Sequence, residues 1–223
     1  PKMKPFIFDA RNGIHIIDLS KSLTQLEAAC DFLRGVVAKG GRVIFVGTKK
    51  QAQQAINDTA KECGQFYVTE RWLGGTLTNF ATIRRSMNRM NEIEKMEADG
   101  SINNYVKQEQ SSIRREAARL VKYFDGIRGM EKHPGAMFVV DIKREHNAVA
   151  EARKLKIPVV AVVDTNCDPD LVDYPIPAND DAIRSVRMIL SVVAQLVTQA
   201  RAEHDAKFGR RSEEAPALPA GIV

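Results

Sequence analysis

Arg71-Trp-Leu-Gly-Gly-Thr-Leu-Thr-Asn79 is the stretch that decides the architecture of this chain. It contains the single tryptophan, and its two adjacent glycines let the backbone turn sharply or approach another surface closely. Upstream, helical and strand patterns alternate; downstream, roughly 50 residues read as helix alone before the alternation resumes. The stretch is therefore predicted to be the junction at which a helical excursion leaves an α/β body. A structural corner around a buried Trp72 and a contact with RNA or a partner both remain open at this point.

The body consists of alternating strands and helices. Continuous apolar runs of four to seven residues are typical of strands buried on both faces of a parallel sheet, and the prolines of the last run favour an edge position. We predict a three-layer α/β/α fold with a flavodoxin-like parallel five-stranded sheet in the order 2-1-3-4-5. The predicted strands are residues 42–46, 66–68, 136–140, 157–163 and 174–177.

The excursion contains two amphipathic helical patterns joined by a polar loop over residues 99–104. The second pattern has a heptad seam, which predicts an inserted antiparallel coiled-coil helical hairpin. Asn12-Gly13 between two β-favouring runs predicts a short hairpin near the N-terminus. The predicted organisation is an N-terminal arm (1–22), an α/β body (23–77 and 134–203), a helical hairpin protrusion (78–133) and a disordered tail (204–223).

Composition narrows the class of protein. The chain has 223 residues, a net charge of +5 and a pI of about 9.2, which favours a polyanionic partner. Its three cysteines are far apart and form no CxxC pair, so we expect reduced thiols rather than a disulfide framework or zinc site. Because no apolar run has the length of a membrane span and no signal-peptide pattern is present, we expect a soluble, cytoplasmic protein.

The strongest argument for an enzyme is that aspartates follow two strands. Asp141 and Asp164 would lie at the carboxyl edge of the sheet, near Gly47-Thr48, where α/β enzymes bind nucleotides or sugar phosphates. However, the sequence contains neither GxGxxG nor a Walker A motif. Residues 164–170 cluster three carboxylates that could hold magnesium, although a loop shaped by its own Asx turns is the interpretation we adopt. We therefore predict no catalytic residue, no cofactor and no metal ligand.

Four motifs together resemble the bacterial-type small-subunit ribosomal protein 2 (S-two) family. They occur in that family's order and spacing, and the resemblance covers roughly residues 1–203. The motifs are Trp72-Leu-Gly-Gly-Thr-Leu-Thr-Asn79, Pro1-Lys-Met-Lys-Pro-Phe6 with Arg11-Asn-Gly-Ile-His-Ile-Ile-Asp18, Val163-Asp-Thr-Asn-Cys-Asp-Pro-Asp170, and Ile176-Pro-Ala-Asn-Asp-Asp-Ala-Ile-Arg184.

The resemblance implies a non-enzymatic structural constituent of the small ribosomal subunit. It implies binding to 16S-type ribosomal RNA and to neighbouring small-subunit proteins, including the large OB-fold protein that binds messenger RNA. No membrane or small-molecule substrate is expected. The alternatives are the enzyme described above and a protein-interaction module built on the hairpin. The candidate RNA contacts are Lys2, Lys4, Arg11, Lys49, Lys50, Arg71, Trp72, Gly74, Gly75, Thr76, Thr78, Asn79, Arg84, Arg85, Arg89, Arg114 and Arg115.

Overall fold

A computed structural model describes residues 2–213. Seven strands and six α-helices are present in this range, together with short 3-10 turns. The strands are β1 (Ile7–Arg11), β2 (Ile14–Ile17), β3 (Val43–Val46), β4 (Phe66–Val68), β5 (Ala136–Val140), β6 (Val159–Val163) and β7 (Tyr174–Pro177). The helices are α1 (Leu19–Ala38), α2 (Lys50–Glu62), α3 (Phe80–Ala98), α4 (Lys107–Phe124), α5 (His146–Lys154) and α6 (Ile183–Glu213).

The main sheet has the predicted topology. Its strands lie in the order β4-β3-β5-β6-β7, and every neighbouring pair is parallel. All residues of β3, β5 and β6 are buried, as expected for strands covered on both faces. Counted within the sheet alone, this order is 2-1-3-4-5, so the predicted three-layer α/β/α, flavodoxin-like fold is confirmed.

Two hydrophobic cores lie on opposite faces of the sheet, because successive side chains of a strand alternate in direction. Residues of α1, α2 and α6 form one core with alternate strand residues such as Phe45 and Phe138. The other core combines α5, the loop with Trp72, and residues of α3 and α4 with strand residues such as Ile44 and Met137. The helical insertion therefore shares a core with the body.

The predicted arm is a two-stranded hairpin ahead of α1. β1 and β2 pair antiparallel, and the connecting Asn12 and Gly13 both have positive φ (50° and 78°). This is the turn geometry that Asn-Gly favours. Asp18 then begins α1, because its carboxylate accepts hydrogen bonds from the N–H groups of Ser20 and Lys21. Local capping thus starts α1 four residues before the apolar periodicity at Leu23.

Helices α3 and α4 contact each other and are joined by a 3-10 turn over Ser101–Asn104. Ion pairs cross between them: Arg89 with Glu116 (3.5 Å) and Arg114 with Glu97 (3.4 Å). The base of the pair is anchored in the body, since Ile83, Met87, Met90 and Phe124 belong to the sheet core. The knobs-into-holes packing of a coiled coil stays a prediction. The hairpin is therefore not a simple protrusion, because the turns of α3 and α4 nearest the sheet belong to the hydrophobic core of the body.

Helix α6 runs to Glu213 and so extends beyond the predicted end near residue 202. Residues 201–207 are rich in helix-forming Ala, Glu, Lys and Arg, and Arg201 pairs with Asp205 one turn later (3.7 Å). Residues 204–213 of the predicted disordered tail lie in α6, while 214–223 lie outside the described residues. Within the described range no helix is long and apolar enough to cross a membrane.

Both edges of the main sheet are covered or blunted. At one edge, β4 contacts the 3-10 turn Asp125–Ile127, and the Tyr67 hydroxyl donates to Asp125 (3.0 Å). At the other edge, α1 contacts β7, whose Pro175 and Pro177 have no N–H to offer a further strand. The return from the helical hairpin is thus fastened to an edge strand.

Gly126 allows this fastening, and its replacement by alanine should destabilise the fold. A Cβ at Gly126 would lie 2.1 Å from the Tyr67 carbonyl oxygen, whereas a Cβ at Gly129 would meet nothing closer than 4.0 Å. We expect Gly126→Ala to lower the free energy of unfolding by about 1–3 kcal/mol. Gly129→Ala, the matched control, should change it by less than about 0.5 kcal/mol. Urea unfolding followed by circular dichroism measures both, and equal effects would contradict the assignment.

Candidate nucleic-acid interface

The loop between β4 and α3 is wrapped around one carboxylate, that of Glu151 in α5. Its Oε1 accepts hydrogen bonds from Trp72 Nε1 (3.0 Å) and the Gly75 N–H (2.7 Å). Its Oε2 accepts from the Leu77 N–H (2.9 Å) and from both the N–H and the hydroxyl of Thr78 (3.0 and 3.1 Å). Five donors of one short loop therefore converge on a single side chain from a distant helix.

These contacts also set the ionisation of Glu151. Burial raises the pKa of its carboxyl group, but the hydrogen bonds from Thr78, Trp72, Gly75 and Leu77 outweigh burial and lower the pKa below its ordinary value of 4.5. The group is consequently ionised at neutral pH. Hydrogen bonds to a charged acceptor are roughly twice as strong as those between neutral groups. These hydrogen bonds to the Glu151 carboxylate therefore hold the loop against α5.

The Trp72 and Thr76 side chains, both candidate RNA contacts, are directed into the protein. Trp72 is only 7% exposed and belongs to the core beneath the sheet, and Thr76 is 3% exposed with its hydroxyl donating to the Leu73 carbonyl (2.6 Å). Gly75 has a φ of 88°, a left-handed conformation that favours glycine. These three residues therefore build the loop, which is the structural-corner interpretation considered for the sequence.

Other residues of the same loop are available on the surface. Arg71, Gly74, Thr78 and Asn79 are exposed. A Cβ placed on Gly74 would meet no described atom within 4 Å, and its φ is not in the left-handed region. Packing within the described residues thus does not require glycine at this position. Asn79 is the N-cap residue of α3, although its side chain makes no capping hydrogen bond.

Lys49 is engaged by the protein itself. Its ammonium lies 2.6 Å from Asp180, 2.6 Å from Asp181 and 3.5 Å from Asp141, and the side chain is 14% exposed. Burial alone would lower the pKa of Lys49, but Asp180 and Asp181 raise it above its ordinary value, so the ammonium stays charged. A lysine held by three carboxylates has little capacity left for an RNA phosphate. Its neighbour Lys50 is exposed.

The expected phosphate-binding turn after β3 is filled by an internal carboxylate. Glu145, 3% exposed, accepts hydrogen bonds from the N–H (2.9 Å) and the hydroxyl (2.5 Å) of Thr48. Arg144 donates to the same hydroxyl (2.9 Å). A nucleotide phosphate would meet a carboxylate where it needs a hydrogen-bond donor. This arrangement argues against the enzyme interpretation based on Gly47-Thr48, Asp141 and Asp164.

The cations of the N-terminal arm differ in whether an acidic side chain pairs with them. Lys2 pairs with Asp168 (2.7 Å) and Asp170 (3.0 Å), and Arg11 pairs with Asp9 (3.2 Å), while Lys4 is exposed. The Asp164–Asp170 loop is held by its own Asx hydrogen bonds, from Thr165 N–H to Asp164 and from Asp170 N–H to Asp168. This agrees with the turn interpretation of that segment.

The helical hairpin provides several exposed cations. Arg84, Arg85 and Arg115 are exposed and have no acidic partner within the described residues. Arg89 and Arg114 pair with glutamates across the hairpin, yet their side chains remain 40% and 54% exposed. This group, like exposed Lys4, Lys50 and Arg71, has the accessibility that contact with a phosphate backbone requires.

Sequence reasoning missed Glu151 and Glu145. Each is a lone acidic residue in or beside a short amphipathic helix, and their partners lie 73–79 and 97 positions away in the chain. The available signal was an acidic residue on the inward side of α5, next to buried Ala148 and Ala152. A charge at such a position is unusual unless it is paired.

The pH dependence of the loop provides a test. The folded-state pKa of Glu151 lies below 4.5, so its ionised form contributes stability above that pH, and this contribution is lost as the pH falls through the folded value. Because Trp72 is the single tryptophan, its fluorescence reports on the loop. We expect a red shift on acidification of the wild type, and a red-shifted spectrum of Glu151→Gln already at neutral pH.

The matched control is Glu131→Gln, which changes an exposed glutamate without a described partner. Its spectrum should follow that of the wild type at every pH. A Glu151→Gln spectrum that is not red-shifted relative to the wild type at neutral pH would contradict the role assigned to the carboxylate.

The sequence of this chain matches a known protein family. Residues 1–200 match the family model described as Ribosomal protein S2. The chain is also 52% identical over 208 residues to the small ribosomal subunit protein uS2 of Treponema pallidum subsp. pallidum, an alignment that covers 93% of this chain and 72% of that protein. The chain therefore belongs to the Ribosomal protein S2 family, and it is a structural, non-enzymatic protein of the small ribosomal subunit.

Proposed function

We propose that this protein binds 16S-type ribosomal RNA through exposed cations on the helical hairpin and on the loop before it. The observation that carries the proposal is the accessibility of Arg84 and Arg85 at the start of α3, which have no acidic partner within the described residues. Guanidinium groups donate in a planar fork that matches phosphate oxygens. The net charge of +5 supports the same type of partner.

The position of these arginines relative to the loop strengthens the proposal. Arg84 and Arg85 follow Asn79, the N-cap residue of α3, within two turns of the helix, so they lie close to exposed Gly74 and Arg71 along the chain. Packing among the described residues does not require glycine at position 74. Glycine there would let the backbone of a binding partner approach closely. The loop is also rigidly held by Glu151. A preformed surface loses less entropy on binding than a mobile one.

A row of basic residues extends along the hairpin and consists of Arg85, Arg89, Arg115 and Arg119. The contact between Arg89 and Glu116 shows that these positions face each other across α3 and α4. Arg85 lies one turn before Arg89, and Arg119 lies one turn after Glu116, so an antiparallel arrangement brings Arg85 and Arg119 to the same side. Arg115 and Arg119 also line one shallow depression. We assign this row to RNA rather than to a protein partner.

The arm and the adjoining helices favour a protein partner. Large apolar side chains are exposed there, including Phe8 (75%), Ile14 (70%), Leu19 (79%) and Leu23 (57%). A groove of about 620 Å³ is lined by Leu19, Leu23 and Met188 of α6, among others. Contiguous exposed apolar surface marks a protein contact more often than an RNA contact. We propose that neighbouring small-subunit proteins cover it, the large OB-fold messenger-RNA-binding protein among them.

Removal of the two arginines at the start of α3 tests the RNA contact. Arg84→Ala with Arg85→Ala should weaken binding to 16S-type RNA and lower incorporation into small subunits. If each arginine neutralises one phosphate, the slope of log affinity against log salt should decrease by about two. The fold should be unaffected, because both side chains are exposed.

The control changes the same charge on the opposite face of the sheet. Arg34→Ala with Lys39→Ala removes two exposed cations at or just beyond the end of α1. The salt slope and incorporation of this variant should equal those of the wild type. An unchanged salt slope for the α3 variant, or an equal loss in both variants, would refute the assignment to the hairpin.

The apolar arm has its own test. Phe8→Ser with Ile14→Ser should leave RNA binding unchanged and reduce the amount of the OB-fold protein retained on purified small subunits. Quantitative mass spectrometry of subunits reconstituted with either form measures this amount. Val106→Ser, which alters an exposed apolar residue at the start of α4 (69% exposed), should retain the wild-type amount. Full retention by the arm variant would exclude this surface as the contact.

A further inference from the structure

Three strand ends deliver an excess of negative charge to one edge of the sheet. Asp141 follows β5, Asp164 follows β6, and Asp180 and Asp181 follow β7. The only cation paired with them among the described residues is Lys49, which contacts Asp141, Asp180 and Asp181. Four carboxylates and one ammonium leave this edge with a net charge near −3. Such an imbalance in a partly buried cluster is unfavourable without a further positive charge.

Asp180 shows where that charge is missing. The residue is 2% exposed, and its Oδ1 accepts a hydrogen bond from Lys49 (2.6 Å). Its Oδ2 is buried and has no hydrogen-bond partner; Asn57 Oδ1 is the only other buried side-chain atom in this condition within the described residues. A buried carboxylate oxygen without a partner carries a full desolvation penalty. Burial raises the pKa of Asp180; Lys49 opposes this rise, while Asp141 and Asp164 add to it.

Carboxylate oxygens converge at this residue. One ligand atom from each of Asp164, Asp180 and Asp181 lies within 4.8 Å of the other two. Asp164 is held in place because its Oδ1 accepts from the Thr165 N–H and its Oδ2 from the Asp180 N–H (3.3 Å). Each oxygen retains a second lone pair for a ligand. Backbone contacts therefore fix the position of Asp164, while the Lys49 ammonium holds Asp180 and Asp181.

We propose that Asp164, Asp180 and Asp181 bind one hard divalent cation of the Mg²⁺ type. Oxygen-only ligands and three negative charges suit this class of ion. The side chain of Asp181 is 71% exposed, so the remaining coordination positions open to solvent and can keep the water ligands that Mg²⁺ retains. Lys49 occupies the Oδ1 atoms of Asp180 and Asp181 and leaves Asp180 Oδ2 to the ion.

A second grouping, Asp141, Cys167 and Asp180, also has converging ligand atoms. We assign the ion to the all-oxygen group for two reasons. Sulfur is a soft ligand, which a hard cation of the Mg²⁺ type disfavours relative to oxygen. In addition, both oxygens of Asp141 already have partners: Oδ1 accepts a hydrogen bond from the Arg144 N–H (3.0 Å), and Oδ2 lies 3.5 Å from the Lys49 ammonium.

The bound cation would link the ends of β6 and β7 just before α6 begins. Its expected effect is to stabilise the folded chain in proportion to ion concentration, because only the folded state brings the three carboxylates together. This role does not depend on RNA contact.

Titration of Mn²⁺ into the full-length protein, followed by electron paramagnetic resonance, tests the site. We expect one bound Mn²⁺ with a dissociation constant of about a millimolar or tighter, and displacement of Mn²⁺ by Mg²⁺. Asp181→Asn should weaken binding at least about tenfold, and Asp180→Asn should abolish it. Asp170→Asn, which changes an exposed carboxylate of the neighbouring loop, is the control and should bind as the wild type.

Thermal unfolding provides a second readout. Mg²⁺ should raise the melting temperature of the wild type and of Asp170→Asn above the value in KCl of equal ionic strength, and should not raise that of Asp181→Asn. If wild-type protein binds no Mn²⁺ at about ten times the expected dissociation constant, the site does not exist. Equal affinities of Asp181→Asn and wild type would overturn the ligand assignment, because exposed Asp181 can be changed without loss of the fold.

Discussion

The hydrogen bonds between the Glu151 carboxylate and the loop before α3 are the interaction on which the insertion depends. Backbone N–H groups that converge on one point usually surround an anion from outside the protein. Here the anion is a side chain of α5, a helix that packs on the same face of the sheet. The loop is thus fixed relative to the sheet, and the loop in turn fixes the position at which α3 begins. The carboxylate and the core contacts of Ile83 and Met87 together position the base of the hairpin.

The motif that identifies the family is therefore mostly architectural in this chain. Trp72, Gly75 and Thr76 are needed to shape a loop around Glu151, and their side chains or backbone conformations are committed to that task. The residues left for contact are those the loop presents outward, together with the arginines that follow. Buried and exposed positions are thus interspersed within one short segment.

Much of the fold could be predicted from the sequence because it depends on local periodicity. Continuous apolar runs identified the buried strands, and helical spacing identified the insertion. The Asn12-Gly13 turn was equally visible, since its residue types are required by positive φ. The end of α6 could not be placed, because a polar segment rich in helix formers has the same composition as a disordered tail.

The candidate site was predicted less well, for a physical reason. Exposure depends on which residues pack together from distant parts of the chain. Lys49 stands at a helix start, where a phosphate contact is a reasonable expectation, but aspartates about 130 positions later neutralise it. The sequence alone allowed Trp72 to stack on a nucleic-acid base, because nothing local indicates that its indole N–H bonds to Glu151 of α5. Arg84 and Arg85 needed no such knowledge, because a doublet of arginines on an amphipathic helix faces outward in almost any packing.

The covered sheet edges have a consequence for the time before the protein joins a subunit. An unassembled chain meets other copies of itself, and parallel strands with open edges would recruit one another into aggregates. Here the return from the hairpin lies along β4, while the prolines of β7 deny the other edge two donors. The return from the hairpin and the prolines of β7 therefore both disfavour edge-to-edge pairing between copies of this chain.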